Sequence, residues 1–118
     1  MKTLVIGAST NPDRYSNKAI LSLLNHNHEV VAIGNKTGNV SGVEIETKLI
    51  PFTDIDTVTL YLNPVRQVDY YDYILSLSPK RVIFNPGTEN PELYKLLTNK
   101  NIGYEIACTL VLLATGQY

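Results

Sequence analysis

Residues 2–20, KTLVIGASTNPDRYSNKAI, are the most informative stretch of this chain about its fold. The apolar run from Leu4 to Ile6 is typical of a buried strand, and it ends at Gly7. A polar loop follows, and a helical pattern begins near Ser16 with apolar residues at helical spacing. A strand that passes through a glycine-containing loop into a helix is typical of phosphate-binding turns in α/β proteins. The stretch therefore predicts an α/β fold with an anion site at its first loop.

The rest of the chain continues the alternation of strands and helices. The predicted strands are Thr3–Ile6, Glu29–Ile33, a weak Val43–Ile45, Thr57–Leu62, Arg81–Asn85 and Ile102–Ile106. The predicted helices are Ser16–Asn27, Asn63–Leu77, Asn90–Lys100 and a short apolar helix after Ala107. Such alternation predicts parallel βαβ units. We expect one domain over residues 1–118, a Rossmann-like three-layer α/β sandwich with a mainly parallel five-stranded sheet in the order 3-2-1-4-5.

Composition excludes several classes of protein. The chain has 118 residues, 44% of them hydrophobic, and a formal net charge of −1, so it predicts a globular domain without the basic face that nucleic acid requires. No apolar stretch is long enough to span a bilayer, and no signal peptide is recognisable. Cys108 is the single cysteine and forms no internal disulfide. We expect a cytoplasmic protein.

Three segments should meet at one edge of the predicted sheet. In the expected order, the direction of winding reverses beside the first strand, and α/β sheets bind ligands at the carboxyl ends of strands next to such a reversal. The segments that converge there are Gly7-Ala8-Ser9, Leu62-Asn63-Pro64 and Asn85-Pro86-Gly87. The sequence therefore predicts a binding crevice between these three turns.

The first loop departs from the dinucleotide-binding fingerprint G-x-G-x-x-G. It supplies Gly7, but Ser9 and Pro12 stand where the second and third glycines belong. Backbone N–H groups of the loop and of the first helical turn can still face an anion, aided by the helix dipole. Arg14 and Lys18 add positive charge. The loop predicts a phosphate site that differs from the usual dinucleotide site.

The end of the second predicted strand bears on the choice of nucleotide. Proteins that select NAD place an acidic residue there, whereas this chain has Gly34-Asn35-Lys36. A lysine favours a phosphate group on the ribose. NADP and coenzyme A (CoA) both carry such a phosphate, so both stay open at this point, and NAD fits poorly.

No catalytic or metal site is predicted. Cys108 has no histidine or acid placed near it, and we expect a buried structural thiol on an apolar helix. His26 and His28 lie at a helix end without a third metal ligand. The acidic residues are dispersed and do not form a matched acid/base pair. The sequence therefore supports binding rather than chemistry.

Four stretches in order resemble the small CoA-binding domain family: VIGASTNPDRYSNKAI, TVTLYLNP, VIFNPGTEN and GYEIACTLVLL. This family is similar in fold to the nucleotide-binding domain of the succinyl-CoA synthetase alpha subunit. The resemblance covers nearly the whole chain. It implies a stand-alone Rossmann-like domain that binds CoA in the crevice and has no established reaction of its own.

The resemblance also implies roles for individual residues. The phosphates would meet Gly7, Ala8, Ser9 and Asn11, joined by Arg14 and Lys18. Lys36 would approach the ribose phosphate. Asn63 and Pro64 would lie in the adenosine region, and Asn85, Pro86 and Gly87 would form the farther wall. This chain departs from many relatives at Gly34-Asn35-Lys36 and at Tyr61-Leu62-Asn63, and both departures lie on the adenosine side.

These observations lead to one hypothesis and two alternatives. The hypothesis is a cytoplasmic module that binds CoA or an acyl-CoA without evident catalysis. The first alternative is an NADP-dependent reductase or a subunit of one. The second is a degenerate fold that serves protein contacts, because Ala107–Thr115 is apolar enough to be either core or the face of a homodimer.

Overall fold

The computed structural model describes residues 1–118 and shows strands alternating with helices. The strands are β1 (Lys2–Ile6), β2 (Glu29–Ile33), β3 (Gly38–Val40), β4 (Val43–Glu46), β5 (Thr57–Leu60), β6 (Arg81–Phe84) and β7 (Gly103–Ile106). The helices are α1 (Tyr15–Asn25), α2 (Pro64–Gln67), α3 (Tyr71–Leu77), α4 (Pro91–Asn99) and α5 (Thr109–Ala114), with a 3₁₀ turn at Val68–Tyr70. Most boundaries lie within two residues of those predicted.

The strands form one sheet in the order β3-β4-β2-β1-β5-β6-β7. All neighbouring pairs are parallel except β3 and β4. The chain winds outward from β1 to β2 and β4, and then returns to β5 on the other side of β1. The Rossmann-like α/β class is confirmed, and so is the reversal of winding beside β1.

The predicted count of five strands is wrong, because the sheet has seven. The five central strands keep the predicted order, but each edge carries one more. β7 extends one edge beside β6, and β3 covers β4 at the other through a tight hairpin. That hairpin turns at Ser41 and Gly42, whose φ angles of 50° and 91° suit the right-handed twist of its strands. β3 has three residues, too few to show a period of two.

The predicted single helix from Asn63 to Leu77 is also wrong, since it consists of α2, the 3₁₀ turn and α3. Its start is as expected, because the Asn63 side chain accepts a hydrogen bond from the Arg66 N–H at 3.0 Å. At the end of α2 the Gln67 side chain donates to carbonyls in the turns after β5 and β6, while Tyr73 and Ile74 of α3 pack on the core.

Helices cover both faces of the sheet, which gives the three layers that were predicted. Alternate strand residues such as Leu4 and Phe84 pack in one apolar cluster with residues of α3 and α4. Val5 belongs to the opposite cluster, which includes residues of α1 and α5. Within the apolar ending, Leu113 is buried and Val111 is 55% exposed, so this segment is only partly core. No helix is long and apolar enough to cross a membrane.

Candidate functional site

A cleft of about 350 Å³ opens at the carboxyl end of the sheet, where the winding reverses. Turns that follow four parallel strands line it, together with the start of α1 and part of the α2 region. The segments in its lining are Gly7–Ser9, Arg14–Ser16, Gly34–Asn35, Tyr61–Asn63, Pro86–Thr88, Arg66 and Tyr70. The cleft is therefore where strand order and sequence predicted a binding crevice.

The loop between β1 and α1 is held by its own polar side chains. The buried Asn17 side chain donates to the Ser9 carbonyl at 2.9 Å. The Ser9 hydroxyl accepts from the Asn11 N–H at 3.0 Å, and the Asn11 side chain accepts from the Asp13 N–H at 3.0 Å. These bonds close successive small turns, which give the loop a defined shape before any ligand binds.

The backbone donors available to an anion come from the helix rather than from the first two residues of the loop. The N–H groups of Gly7 and Ala8 both donate to the Ile33 carbonyl, at 2.9 and 3.0 Å. In contrast, no side chain caps the N-terminus of α1, and Tyr15 and Ser16 of its first turn line the cleft. The first N–H groups of a helix have no partner within the helix, so this end of α1 can receive an anion.

Two glycines permit the close packing of loops behind the cleft. Gly7 has a φ of 94°, and a Cβ there would lie 3.0 Å from the backbone carbonyl of Tyr61. At Gly34 a Cβ would lie 2.4 Å from the Ala8 carbonyl oxygen, closer than real contacts allow. The turns after β1, β2 and β5 can meet only because these side chains are absent.

The charge of the cleft differs from that of the whole protein. Arg14 and Arg66 both line it, and neither takes part in an ion pair. No aspartate or glutamate lines the cleft. A concave site with two unpaired guanidinium groups attracts anions even in a chain of net charge −1.

A buried hydrogen-bond network fixes the wall formed by the turns after β5 and β6. Gln67 is fully buried, and its amide nitrogen donates to the Leu62 and Thr88 carbonyls at 2.7 and 2.8 Å. The Gln67 side-chain oxygen accepts from the Asn90 amide at 2.9 Å. Asn90 in turn caps α4 by accepting from the Leu93 N–H. The network ties two cleft-lining turns to α2 and α4.

Asn85 is engaged within the protein rather than directed at the main cleft. Its amide nitrogen donates to the Thr59 hydroxyl at 2.6 Å and to the Leu60 carbonyl at 2.9 Å, and its oxygen accepts from the Thr109 N–H at 2.9 Å. Asn85 lines a second cavity of about 230 Å³, which we call the side cavity. The other residues of its lining are Tyr15, Tyr61, Pro86, Cys108 and Leu110.

Tyr61 lines both the cleft and the side cavity. Its hydroxyl is buried beside the Thr59 and Thr109 hydroxyls but makes no hydrogen bond of standard geometry with them. Burial raises the pKa of Tyr61 to about 12. The side chain is therefore neutral at physiological pH.

The predicted site residues divide into two groups. Those that line the cleft are Gly7, Ala8, Ser9, Arg14, Asn63, Pro86 and Gly87. Those outside its lining are Asn11, Lys18, Lys36, Pro64 and Asn85, the last of which faces the side cavity. Asn11 shapes the loop, and the Lys18 ammonium lies 5.4 Å from the centre of the Tyr15 ring.

Sequence reasoning missed Arg66 and Tyr15 as cleft residues. Arg66 lies three positions after Asn63, in the first turn of a helix at the predicted crevice, which was the available signal. Cys108 differs from expectation, because it precedes α5 and is only half-buried. No group of three or more His, Cys, Asp or Glu residues is arranged to hold a metal ion.

Comparisons with known proteins identify the family of the chain. The family model described as a CoA binding domain matches residues 1–114. The chain belongs to the CoA-binding domain family. This membership confirms the resemblance seen in the four sequence stretches. A search of the curated proteins finds no match to this chain.

Solved structures share the fold over almost the whole chain. An uncharacterized protein is 48% identical, with a TM-score of 0.97 and coverage of 99% of this chain and 97% of its own. A protein from Thermus thermophilus is 20% identical, with a TM-score of 0.86 and coverage of 99% and 90%. The dinucleotide-forming acetyl-coenzyme A synthetase 1 of Ca. Korarchaeum cryptofilum, solved with phosphate and ADP, is 16% identical. Its TM-score is 0.72, with coverage of 90% of this chain and 25% of that one.

Proposed function

We propose that this protein binds CoA or an acyl-CoA in the cleft and acts as a stand-alone binding or regulatory module. The observation that carries the proposal is an acid-free cleft with two unpaired arginines and an uncapped helix N-terminus, in a member of the CoA-binding domain family. CoA presents a diphosphate and a separate ribose phosphate, so its recognition calls for this surplus of positive charge and free N–H groups.

The ligand would lie along the carboxyl edge of the sheet. We assign the diphosphate to the first turn of α1 and Arg14, with Arg66 on the facing wall. The adenosine would extend toward Gly34 and Asn35 after β2, where the exposed Lys36 would approach the ribose phosphate. The shaped loop and the Gln67 network support this placement, because both hold the walls rigid.

The lining of the cleft favours binding over catalysis. It contains no Asp, Glu, His, Cys or Lys, the groups that most often transfer protons or attack a substrate near neutral pH. We therefore propose a carrier or sensor of CoA status rather than an enzyme. A cytoplasmic location fits a chain with one cysteine and no disulfide.

Thermal shift with CoA, acetyl-CoA, NADPH and NADH at matched concentrations tests the proposal. A ligand at about 100 times its dissociation constant stabilises a protein by about 2.7 kcal/mol, which is a clear rise in melting temperature. We expect CoA and acetyl-CoA to give that rise and both nicotinamide nucleotides to give little. A shift with NADPH and none with CoA would support the reductase alternative, which the comparisons leave without support, and would overturn the proposal.

A further inference from the structure

The side cavity has a different chemical character from the cleft. Its volume of about 230 Å³ is bounded by two tyrosine rings, Pro86, Leu110 and the Cys108 thiol. The amide group of Asn85, the one amide side chain in its lining, is already hydrogen-bonded to Thr59, Leu60 and Thr109. No charged group lines it. The cavity therefore offers apolar surface and is unsuited to phosphate.

The side cavity adjoins the cleft. Tyr15, Tyr61 and Pro86 line both spaces. Cys108 and Leu110 place the cavity beyond the end of β7, whereas Gly34 and Asn35 place the far end of the cleft beyond β2. Four strand spacings separate β2 from β7, which is roughly 19 Å at the usual interstrand distance. An elongated ligand can therefore have its charged part in the cleft and an apolar end in the cavity.

We propose that the side cavity receives the acyl group of a short- or medium-chain acyl-CoA. This inference rests on the proposed function, because it needs the phosphates at α1 and Arg14. The pantetheine arm then passes between Tyr15, Tyr61 and Pro86, and the thioester reaches the space beside Cys108 and Leu110. An apolar cavity of about 150 Å³ accepts benzene, so this one has room for an acyl chain of about six carbons.

An affinity series by calorimetry tests the chain-length requirement. Each buried methylene strengthens binding about fourfold. From acetyl-CoA through butyryl-CoA to hexanoyl-CoA we expect the dissociation constant to fall at least tenfold. Equal affinity for CoA and all three thioesters would overturn this inference and leave the proposed function intact. A protein that binds none of the four would instead overturn the proposed function.

Cys108 allows occupancy of the cavity to be observed separately. It is the only cysteine, it is half-buried, and it lines the cavity, so its alkylation by iodoacetamide reports on that space alone. Acetyl-CoA and hexanoyl-CoA have no free thiol to consume the reagent. At equal saturation, we expect hexanoyl-CoA to slow alkylation, measured by intact mass, at least fivefold more than acetyl-CoA. Unchanged alkylation at saturating hexanoyl-CoA would contradict the proposal.

Adjacent positions on α5 provide a matched pair of variants. Leu110→Trp should fill the cavity, so CoA binding is retained while the preference for hexanoyl-CoA is lost. Val111→Trp adds the same side chain at an exposed position outside both cavities and should behave like the native protein. Should Leu110→Trp fail to fold, Leu110→Ala enlarges the cavity and should move the preferred chain to a longer one. A Leu110 variant with unchanged chain-length preference would overturn the assignment.

Discussion

Arg14 and Arg66 give the cleft its positive charge. Arg14 immediately precedes α1 and Arg66 lies in α2, and neither has a carboxylate partner that a ligand would need to displace. A hydrogen bond to a charged group contributes about 1.5–3 kcal/mol. We therefore expect Arg66→Ala to weaken CoA binding by roughly 10- to 150-fold in calorimetry. Lys95→Ala, which removes one exposed charge on α4, is the control and should leave the affinity unchanged.

Lys36 is exposed after β2 and lies outside the lining of the cleft. Its predicted role therefore requires its side chain to extend to the ribose phosphate of the bound ligand. If its ammonium contacts the ribose phosphate, Lys36→Ala should weaken CoA binding by up to about fivefold, as for an exposed ion pair, and leave dephospho-CoA unaffected. Lys48→Ala, at another exposed lysine, should change neither. Equal losses for CoA and dephospho-CoA would remove the assigned role.

Gly34 controls how closely the turns after β1 and β2 approach. A methyl group there would lie 2.4 Å from the Ala8 carbonyl oxygen, so Gly34→Ala must displace the backbone of the binding loop. We expect a loss of about 1–3 kcal/mol in the free energy of unfolding, measured with urea. Gly103→Ala is the matched control, because its Cβ would meet a backbone oxygen at 3.3 Å and should cost less. Equal losses would contradict the steric account.

Gln67, the last residue of α2, holds two cleft turns together through its side-chain hydrogen bonds. In Gln67→Leu the Leu62 and Thr88 carbonyls lose a buried donor. An unsatisfied buried group costs about 1–3 kcal/mol, so we expect a loss of that size in urea unfolding. Gln117→Leu, at an exposed position, should change stability by no more than about 0.5 kcal/mol. Equal effects would show that the network contributes little.

Local signals predicted the starts of elements better than their interruptions. Asn63-Pro64 and Asn90-Pro91 do begin α2 and α4, because the cap and the proline act within one helical turn. Where α2 ends, the Gln67 side chain bonds to the Thr88 carbonyl, which lies 21 residues further along the chain. The sequence of the helix alone does not indicate this hydrogen bond.

The strand order explains why the crevice was predictable, and the packing of the helices explains why the side cavity was not. The central strands and the reversal beside β1 follow from alternation and connection rules, so the crevice could be located from the sequence. The side cavity joins Tyr15, Tyr61 and Cys108, which are far apart in the chain. These residues lie near one another because of how α1 and α5 pack, and hydrophobic periodicity does not specify that packing.

Buried tyrosines make stability depend on pH in the alkaline range. Burial raises the pKa of Tyr61 and of Tyr73 to about 12, whereas an unfolded tyrosine titrates near 10. Between these values the unfolded chain releases protons first, so stability is constant below pH 10 with respect to these groups and falls from pH 10 to 12. We expect the melting temperature of Tyr73→Phe to fall less steeply over that interval. Identical slopes for Tyr73→Phe and the native protein would contradict the prediction.

A crystal structure of the protein with CoA would show directly where the ligand lies. We expect the diphosphate within hydrogen-bond distance of the Tyr15 and Ser16 N–H groups, beside Arg14 and facing Arg66. We also expect the pantetheine arm between Tyr15, Tyr61 and Pro86. CoA bound elsewhere on the surface, with the cleft filled by water, would contradict it.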